Sequence, residues 1–516
     1  MMTILSRSRQ ALPRVHRVHH VHRVHLSILT ALLFLATPAL PQDTHPLQLQ
    51  AQALEALQRR DYTEGERLLR AQLELQPDNH VVHYNLACAL ALAGNEDAAV
   101  AFLKSAIQTG FDDVNQLQRD PDLASVQSHP TVRAIIDNWD AILQARIDAN
   151  FEAAKAEYAR GYSYDKDEAL RLAWVSSFDE VSFADAREEI ALIAAWAFEH
   201  LFTEDDRPPA PTVPGGPGAE DPHRGGAPWV VVILPTREDF ETWQLRKYGP
   251  AARTATREVG GRYDHDTKRL IARDLGATLR HEFLHVLHWR SMMRLGQRHP
   301  IWIQEGLGCL VEDFDRQPDG TLLLAPSWRT NIAQRLAAGN HLTPITELAR
   351  LPHQAFMGAN PLAKYAEART FFLYLAASGK LSDWYRIYTE RYNEDRTGIL
   401  ATQQLFGEDL DAFQRQYQAW VNALPRVADM HEPGRAVLGF DVDPTGGEGL
   451  KITSLVSRLR VGLRLGDVIT AIDGRPTRDL NEMYRVLGSC EPGQTVTVRY
   501  RRGRTHGVAQ VTLGSR

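Results

Sequence analysis

The stretch "TLRHEFLHVLHW", residues 278–289, sets His281, Glu282 and His285 in an apolar run. Leu279, Phe283, Leu284 and Leu287 recur at helical spacing, so the run reads as a helix with a buried face. On a helix, residues i and i+4 share a face, offset by only about 40°. His281 and His285 can therefore place two imidazole nitrogens on one ion. Glu282 sits about 100° round the helix, near enough to reach a water beside the ion without binding the ion itself. Two histidines are not enough, because a catalytic zinc takes three protein ligands and keeps a fourth position open. "PIWIQEGLGCLVE" (300–312) supplies a candidate. Glu305 follows His285 after 19 intervening residues, at the start of a second apolar helix behind Pro300. The competing reading is two satisfied core histidines beside a surface glutamate. The apolar spacing around the motif and the acidic helix start after it argue against that reading.

Working outward, "GGRYDHDTKRLIAR" (260–273) reads as a hairpin turning at Asp264–Thr267, and "WVVVILP" (229–235) as a buried strand. Strand 269–273 offers an edge on which an extended peptide could pair. Residues 141–203 have a helical pattern, with "ALIAAWAFEHLF" the clearest part, and 326–425 are mostly helical. Between them "RPPAPTVPGGPGAEDPHRGGAP" (207–228) is a flexible Pro/Gly insert. The three cysteines, Cys88, Cys309 and Cys490, lie far apart and form no CxxC pair, so a metal must be held by His and carboxylate.

Together "LRHEFLHVLHW" and "PIWIQEGLG" resemble the gluzincin metallopeptidases, whose pattern is His-Glu-x-x-His plus Glu. The likeness is greatest to peptidase MA-like domains with a Pro-x-Trp-Ile-x-Glu-Gly-Leu signature. It covers about residues 165–425, with its specific part at 258–312. His288 and Ser291 depart from the metzincin pattern, which has Gly and a third His there. The resemblance implies one zinc ion (Zn2+) held by His281, His285 and Glu305, with Glu282 as general base. It also implies an oxyanion donor: the helix within "NPLAKYAEARTFFLYL" offers Tyr365 as the candidate, and Tyr374 and, beyond that stretch, Tyr385 are runners-up. Glu312 lies on the same helix face as Glu305 and is placed to accept from a ligand histidine. Cys309 stands where some relatives carry an acid and reads as a small buried residue.

Residues 46–113 repeat with a period of 34: Gly65, Leu69 and Leu73 align with Ala99, Leu103 and Ile107. This resembles a pair of tetratricopeptide (TPR) repeats, with a capping segment carrying the region to 140. Such a region serves either as a protein-binding groove or as a packing spacer. Residues 433–516 resemble a PDZ domain of the protease-associated kind. "VLGFDV", "GLRLGDVITAIDG", "DLNEMYRVLGS" and the final strands match in order. The resemblance implies that Leu438, Gly439 and Phe440 form a loop for a peptide C-terminus, with "FDVD" pairing alongside. "RYRRGR" (499–504) reads as a solvated hairpin.

The N-terminus carries arginines at 7–23, an apolar core "LSILTALLFLA" and "TPALPQ", the pattern of an export signal over 1–41. The run "RVHRVHHVHRVH" falls in its n-region, and the other reading of it is a metal-binding tract. No later segment is apolar enough to span a bilayer, so the mature chain is expected without a transmembrane segment, in the periplasm or outside a bacterium. A net charge of −6 gives no sign of nucleic-acid binding.

The expected architecture is therefore multidomain. TPR-like α-helical hairpins (46–140) precede an α+β zincin-like metallopeptidase domain, mostly helical with a small sheet (141–428), and a β-rich PDZ domain (433–516). The expected activity is zinc-dependent hydrolysis of peptide bonds in protein or peptide substrates. The main rival is a catalytically inactive scaffold that binds peptides through its PDZ and TPR-like modules. A zinc hydrolase of non-peptide bonds is a third reading, since fold does not fix function.

Overall fold

The computed structural model describes residues 44–208, 226–250, 260–264, 267–455 and 462–515. The expected export signal and most of the Pro/Gly insert lie outside them. The chain is multidomain and about half helical. Its backbone divides into two units, one of residues up to 106 with 120–128, the other of 107–119 and 129 onward.

The first unit holds helices Thr44–Gln58, Tyr62–Leu75, His80–Leu92 and most of Glu96–Thr109. Helices Thr44–Gln58 and Tyr62–Leu75 pack against each other, and Tyr62–Leu75 also packs against His80–Leu92. Leu57, Leu69, Val82, Leu86 and Ala89 share its core. Asp61 and Asn79 cap the second and third helices through backbone N–H groups of Glu64 and Val81. In the second unit, Arg146 of helix Trp139–Glu157 donates to the carbonyls of Ile107, Gly110 and Phe111, which ties residues 107–111 to that helix.

The second unit is built on a five-stranded sheet: β1 (Ser163–Asp167), β2 (Leu172–Ser176), β3 (Trp229–Ile233), β4 (Gly261–Asp264) and β5 (Arg269–Ala272). Their order is β1-β2-β3-β5-β4, with β2, β3 and β5 parallel and both outer strands antiparallel. Side chains alternate between two cores, as a strand covered on both faces requires. Trp174, Val231, Ile233 and Leu270 face the larger core of the motif helix, whereas Val175, Val230, Val232 and Ile271 face Phe151, Phe240 and Trp243.

Two expectations change here. Residues 141–203 are not helical throughout, because β1 and β2 interrupt them. "LAWVS" is a short, fully buried apolar run, and periodicity cannot separate such a strand from a helix segment. The edge strand is β4, not Arg269–Arg273. β5 is enclosed between β3 and β4, and strand order depends on crossovers that local pattern does not encode.

The motif helix, Ala277–Leu295, follows β5 directly and packs on β4, β5 and helix Glu180–His200. Asp274 caps it: Oδ1 accepts from the N–H groups of Gly276 and Thr278 at 2.9 and 3.2 Å. Helix Ile301–Leu310 lies beside it. The short hairpin β6 (Phe314–Arg316) and β7 (Leu322–Leu324) comes next, followed by the helices of 328–423, which include Trp328–Ala338 and Pro361–Ala377. Trp302, Phe371, Phe372 and Trp384 form the centre of this helical half, all at 0% exposure.

The C-terminal region is β-rich. It comprises β8 (Ala436–Val437), β9 (Phe440–Asp443), β10 (Leu450–Leu455), β11 (Val468–Ile472), β12 (Arg475–Pro476), helix Leu480–Leu487, β13 (Thr495–Arg502), β14 (Thr505–Thr512) and β15 (Gly514–Ser515). Its main sheet runs β14-β13-β11-β10-β9, leaving β9 at the edge. The arginines of "RYRRGR" are not merely solvated. Arg499 pairs with Asp185, Arg501 with Glu448 and Arg502 with Asp467. Among the described residues no helix is long and apolar enough to cross a membrane.

Candidate metal centre

The motif helix and helix Ile301–Leu310 cross so that three expected ligands converge. His281 Nε2 lies 3.2 Å from Glu305 Oε2 and 3.0 Å from His285 Nε2, and His285 Nε2 lies 3.5 Å from the same carboxylate oxygen. One donor atom from each residue falls within 4.8 Å of the others. The approach is close because position 308 has no side chain: a Cβ there would meet the His281 ring at 2.9 Å.

The other face of the His281 ring is also engaged. Nδ1 lies 2.9 Å from Glu312 Oε1, so the expected orienting acid is in contact. Arg329 grips both oxygens of Glu312, at 2.6 and 2.9 Å. Cys309, fully buried, joins His281 and Glu312 in a second potential donor set. The two sets differ in charge balance. Glu312 is already neutralised by a guanidinium, whereas among the described residues Glu305 pairs only with the two histidines. Two imidazoles and one unneutralised carboxylate make a donor set that fits a divalent cation.

Burial would raise the Glu305 carboxyl, but the histidines beside it hold it far below the usual carboxylate range. Burial also raises Glu282, and His281, His285 and Arg262 oppose that only in part. Glu282 is 7% exposed and lies against β4, where a Cβ on Gly261 would meet its Oε1 at 2.8 Å. The candidate base is thus held between the motif helix and the edge strand.

Tyr365, on helix Pro361–Ala377, comes to the site: its ring centroid is 6.4 Å from that of His281, and its hydroxyl donates to Met357 Sδ at 3.5 Å. Burial first, and then Glu305, push the phenol well above its ordinary value, so it stays a donor. The runners-up lie elsewhere. Tyr374 stacks on Phe406, and Tyr385 packs against Phe202 and His299. His288 turns away from the ligands to His299 Nδ1, 2.7 Å distant.

The sequence reading missed two contributors. Tyr263 on β4 places its ring 5.0 Å from that of His285. Arg329 secures Glu312. The first could have been found by taking β4 rather than β5 as the edge. The second rests on a helix contact that no motif marks.

In the C-terminal region, Leu438 is buried, Gly439 takes φ +75° and Phe440 opens the edge strand β9. Helix Leu480–Leu487 follows after β12. The family model described as PDZ domain matches residues 436–513. This region is a PDZ domain. A PDZ domain receives an extended peptide by strand addition with its C-terminal carboxylate held at a loop, so this region supports peptide binding.

No curated protein matches the chain. Among solved structures, a serine endoprotease from Yersinia pestis is similar at 19% identity and TM-score 0.14, over 20% of this chain and 36% of that one. An aminopeptidase N family protein from Idiomarina loihiensis is similar at 14% identity and TM-score 0.25, over 69% of this chain and 67% of that one. Likenesses this slight transfer neither fold nor activity.

Proposed function

We propose that the chain is an exported zinc-dependent metallopeptidase acting on protein or peptide substrates, with its PDZ domain and N-terminal TPR-like hairpins as peptide-binding modules. The observation that carries this reading is the convergence of His281, His285 and Glu305 with Glu282 beside them. The residues that would hold zinc are His281, His285 and Glu305. When bound, zinc acidifies a water and polarises the scissile carbonyl. Glu282, raised by burial, takes the proton from the attacking water and passes it to the leaving amine. Glu312, fixed by Arg329, holds His281 in one tautomer and one orientation. Tyr365 donates a hydrogen bond to the developing oxyanion. β4, the outer strand of the sheet among the described residues, runs next to Glu282 and is the strand along which a substrate backbone would lie.

The inactive-scaffold reading shares the PDZ domain and predicts the same peptide binding without cleavage. Zinc content together with casein cleavage, compared between wild type and Glu282→Gln, separates the two. The metallopeptidase reading expects about one zinc in both proteins and cleavage in wild type alone. Zinc without cleavage in wild type would leave the scaffold, and a wild type without zinc would remove the ligand assignment.

A further inference from the structure

Arg280 immediately precedes His281 and points to the other side of the motif helix, into a buried polar cluster shared with the PDZ domain. Its Nη1 donates to Glu189 Oε2 at 2.8 Å and its Nη2 to Glu482 Oε1 at 2.7 Å. Glu482 lies on the PDZ helix Leu480–Leu487, and its other oxygen accepts from the N–H of Arg478 at 2.7 Å. Arg478 Nη1 in turn reaches Glu189 Oε2 at 2.7 Å. Arg280, Glu189, Arg478 and Glu482 thus close a ring, through the guanidinium of Arg478 on one side and its backbone N–H on the other, with Arg280, Arg478 and Glu189 each under 10% exposed.

Arg280 has a third partner. Its Nε and Nη2 both donate to the backbone carbonyl of Glu312, at 3.1 and 2.7 Å. Glu312 is the residue whose carboxylate receives His281 Nδ1. One guanidinium therefore joins the PDZ helix to the backbone of the residue that orients a candidate zinc ligand. The fork geometry of arginine makes this specific, because a lysine could not hold two carboxylates and a carbonyl in one plane.

We infer that Arg280 is a positioning residue for the metal centre, and that Glu482 of the PDZ domain is the anchor that sets it. The PDZ domain then does more than gather peptides: its docked position is part of what holds His281 in line. This inference rests on the zinc reading above. By linkage, any ligand that displaces the PDZ helix weakens zinc binding, and zinc in turn strengthens that docking.

The test measures zinc affinity of the full-length chain by competition with a chromophoric chelator, for wild type, Glu482→Gln and Arg499→Gln. The glutamine at 482 keeps the side-chain shape and removes the charge that holds Arg280. Arg499→Gln breaks the Arg499–Asp185 contact, 3.2 Å long, at the rim of the same interface without touching Arg280. Cobalt substitution gives a second readout, since its visible spectrum reports ligand geometry rather than stability.

The expected result is zinc affinity weakened by about fivefold or more in Glu482→Gln, with an altered cobalt spectrum, and no change in Arg499→Gln. Wild type binding zinc while Glu482→Gln stays within about threefold of it overturns the coupling and leaves the zinc reading standing. Equal weakening in both variants overturns the Arg280 route in favour of general loosening. Absence of zinc from wild type overturns the zinc reading, and the coupling with it. If Glu482→Gln does not fold, Glu482→Asp carries the same test, because it keeps the charge but draws it back from Arg280.

Discussion

Arg280 and His281 are neighbours in the chain, yet they enter two buried polar clusters of opposite character. The Arg280 cluster balances two guanidiniums against two carboxylates and satisfies its charges internally. The His281 cluster gathers lone-pair donors, two imidazoles and Glu305, around one point with no guanidinium among its described partners. Burying charge is costly unless it is paired. The first cluster meets that cost with protein groups alone, whereas the composition of the second suits a cation. Burial and perturbed titration alone therefore do not mark a metal centre; the balance of donor types does.

The largest expected effects break each cluster at its centre. Glu282→Gln should lower peptide cleavage by about 10²–10⁴-fold with zinc content and melting temperature unchanged, measured by peptide hydrolysis and metal analysis. Glu189→Gln should act chiefly on stability. It leaves Arg280 and Arg478 facing each other with less compensating charge, and should cost about 3–5 kcal/mol in urea unfolding. Loss of stability in Glu282→Gln and none in Glu189→Gln would erase the contrast drawn here.

Smaller substitutions sharpen it. Tyr365→Phe should lower kcat by about 10²-fold with zinc affinity unchanged, because it removes one donor to an oxyanion and no ligand. An unchanged kcat would make Tyr365 a packing residue and move attention to Tyr263. Glu312→Gln should weaken zinc binding by about tenfold, read by chelator competition, since it removes the charge that orients His281 and leaves His281, His285 and Glu305 in place.

The smallest effect concerns pH. Asp479 caps the PDZ helix by accepting from Glu482 N–H at 2.8 Å. Burial, then Glu482, push its carboxyl up to about 7 from an ordinary value of 3.8. The native state therefore holds this proton where the unfolded chain has lost it, so the contribution falls as pH rises from about 4 to about 7. Asp479→Asn keeps the cap and removes the titration. The variant should gain on wild type in melting temperature between pH 5 and pH 8, and a constant difference across that range would contradict the shift.

Much of this was legible in the sequence because the relevant signals are local. The i, i+4 spacing of His281 and His285 and the 34-residue period depend on neighbours in the chain, as do the ordered PDZ segments. Glu305 was reachable because Pro300 marks a helix start. The edge position of β4, the fully buried strand Leu172–Ser176, and the contacts Arg329–Glu312 and Arg280–Glu482 were not legible. Each joins residues distant in sequence, and none leaves a periodic trace. Arg280 in particular reads as a polar residue on a helix until the PDZ domain is seen against it.

The central claim is the identity of the ligand set, and zinc K-edge absorption on the zinc-loaded full-length chain tests it most directly. His281 belongs to both donor sets, so the distinction lies in its companions. Only nitrogen and oxygen neighbours at about 2.0–2.2 Å are expected, from His281, His285 and Glu305. A sulfur neighbour at about 2.3 Å would place the ion with Cys309 and Glu312 instead and would rule out the His281, His285 and Glu305 set.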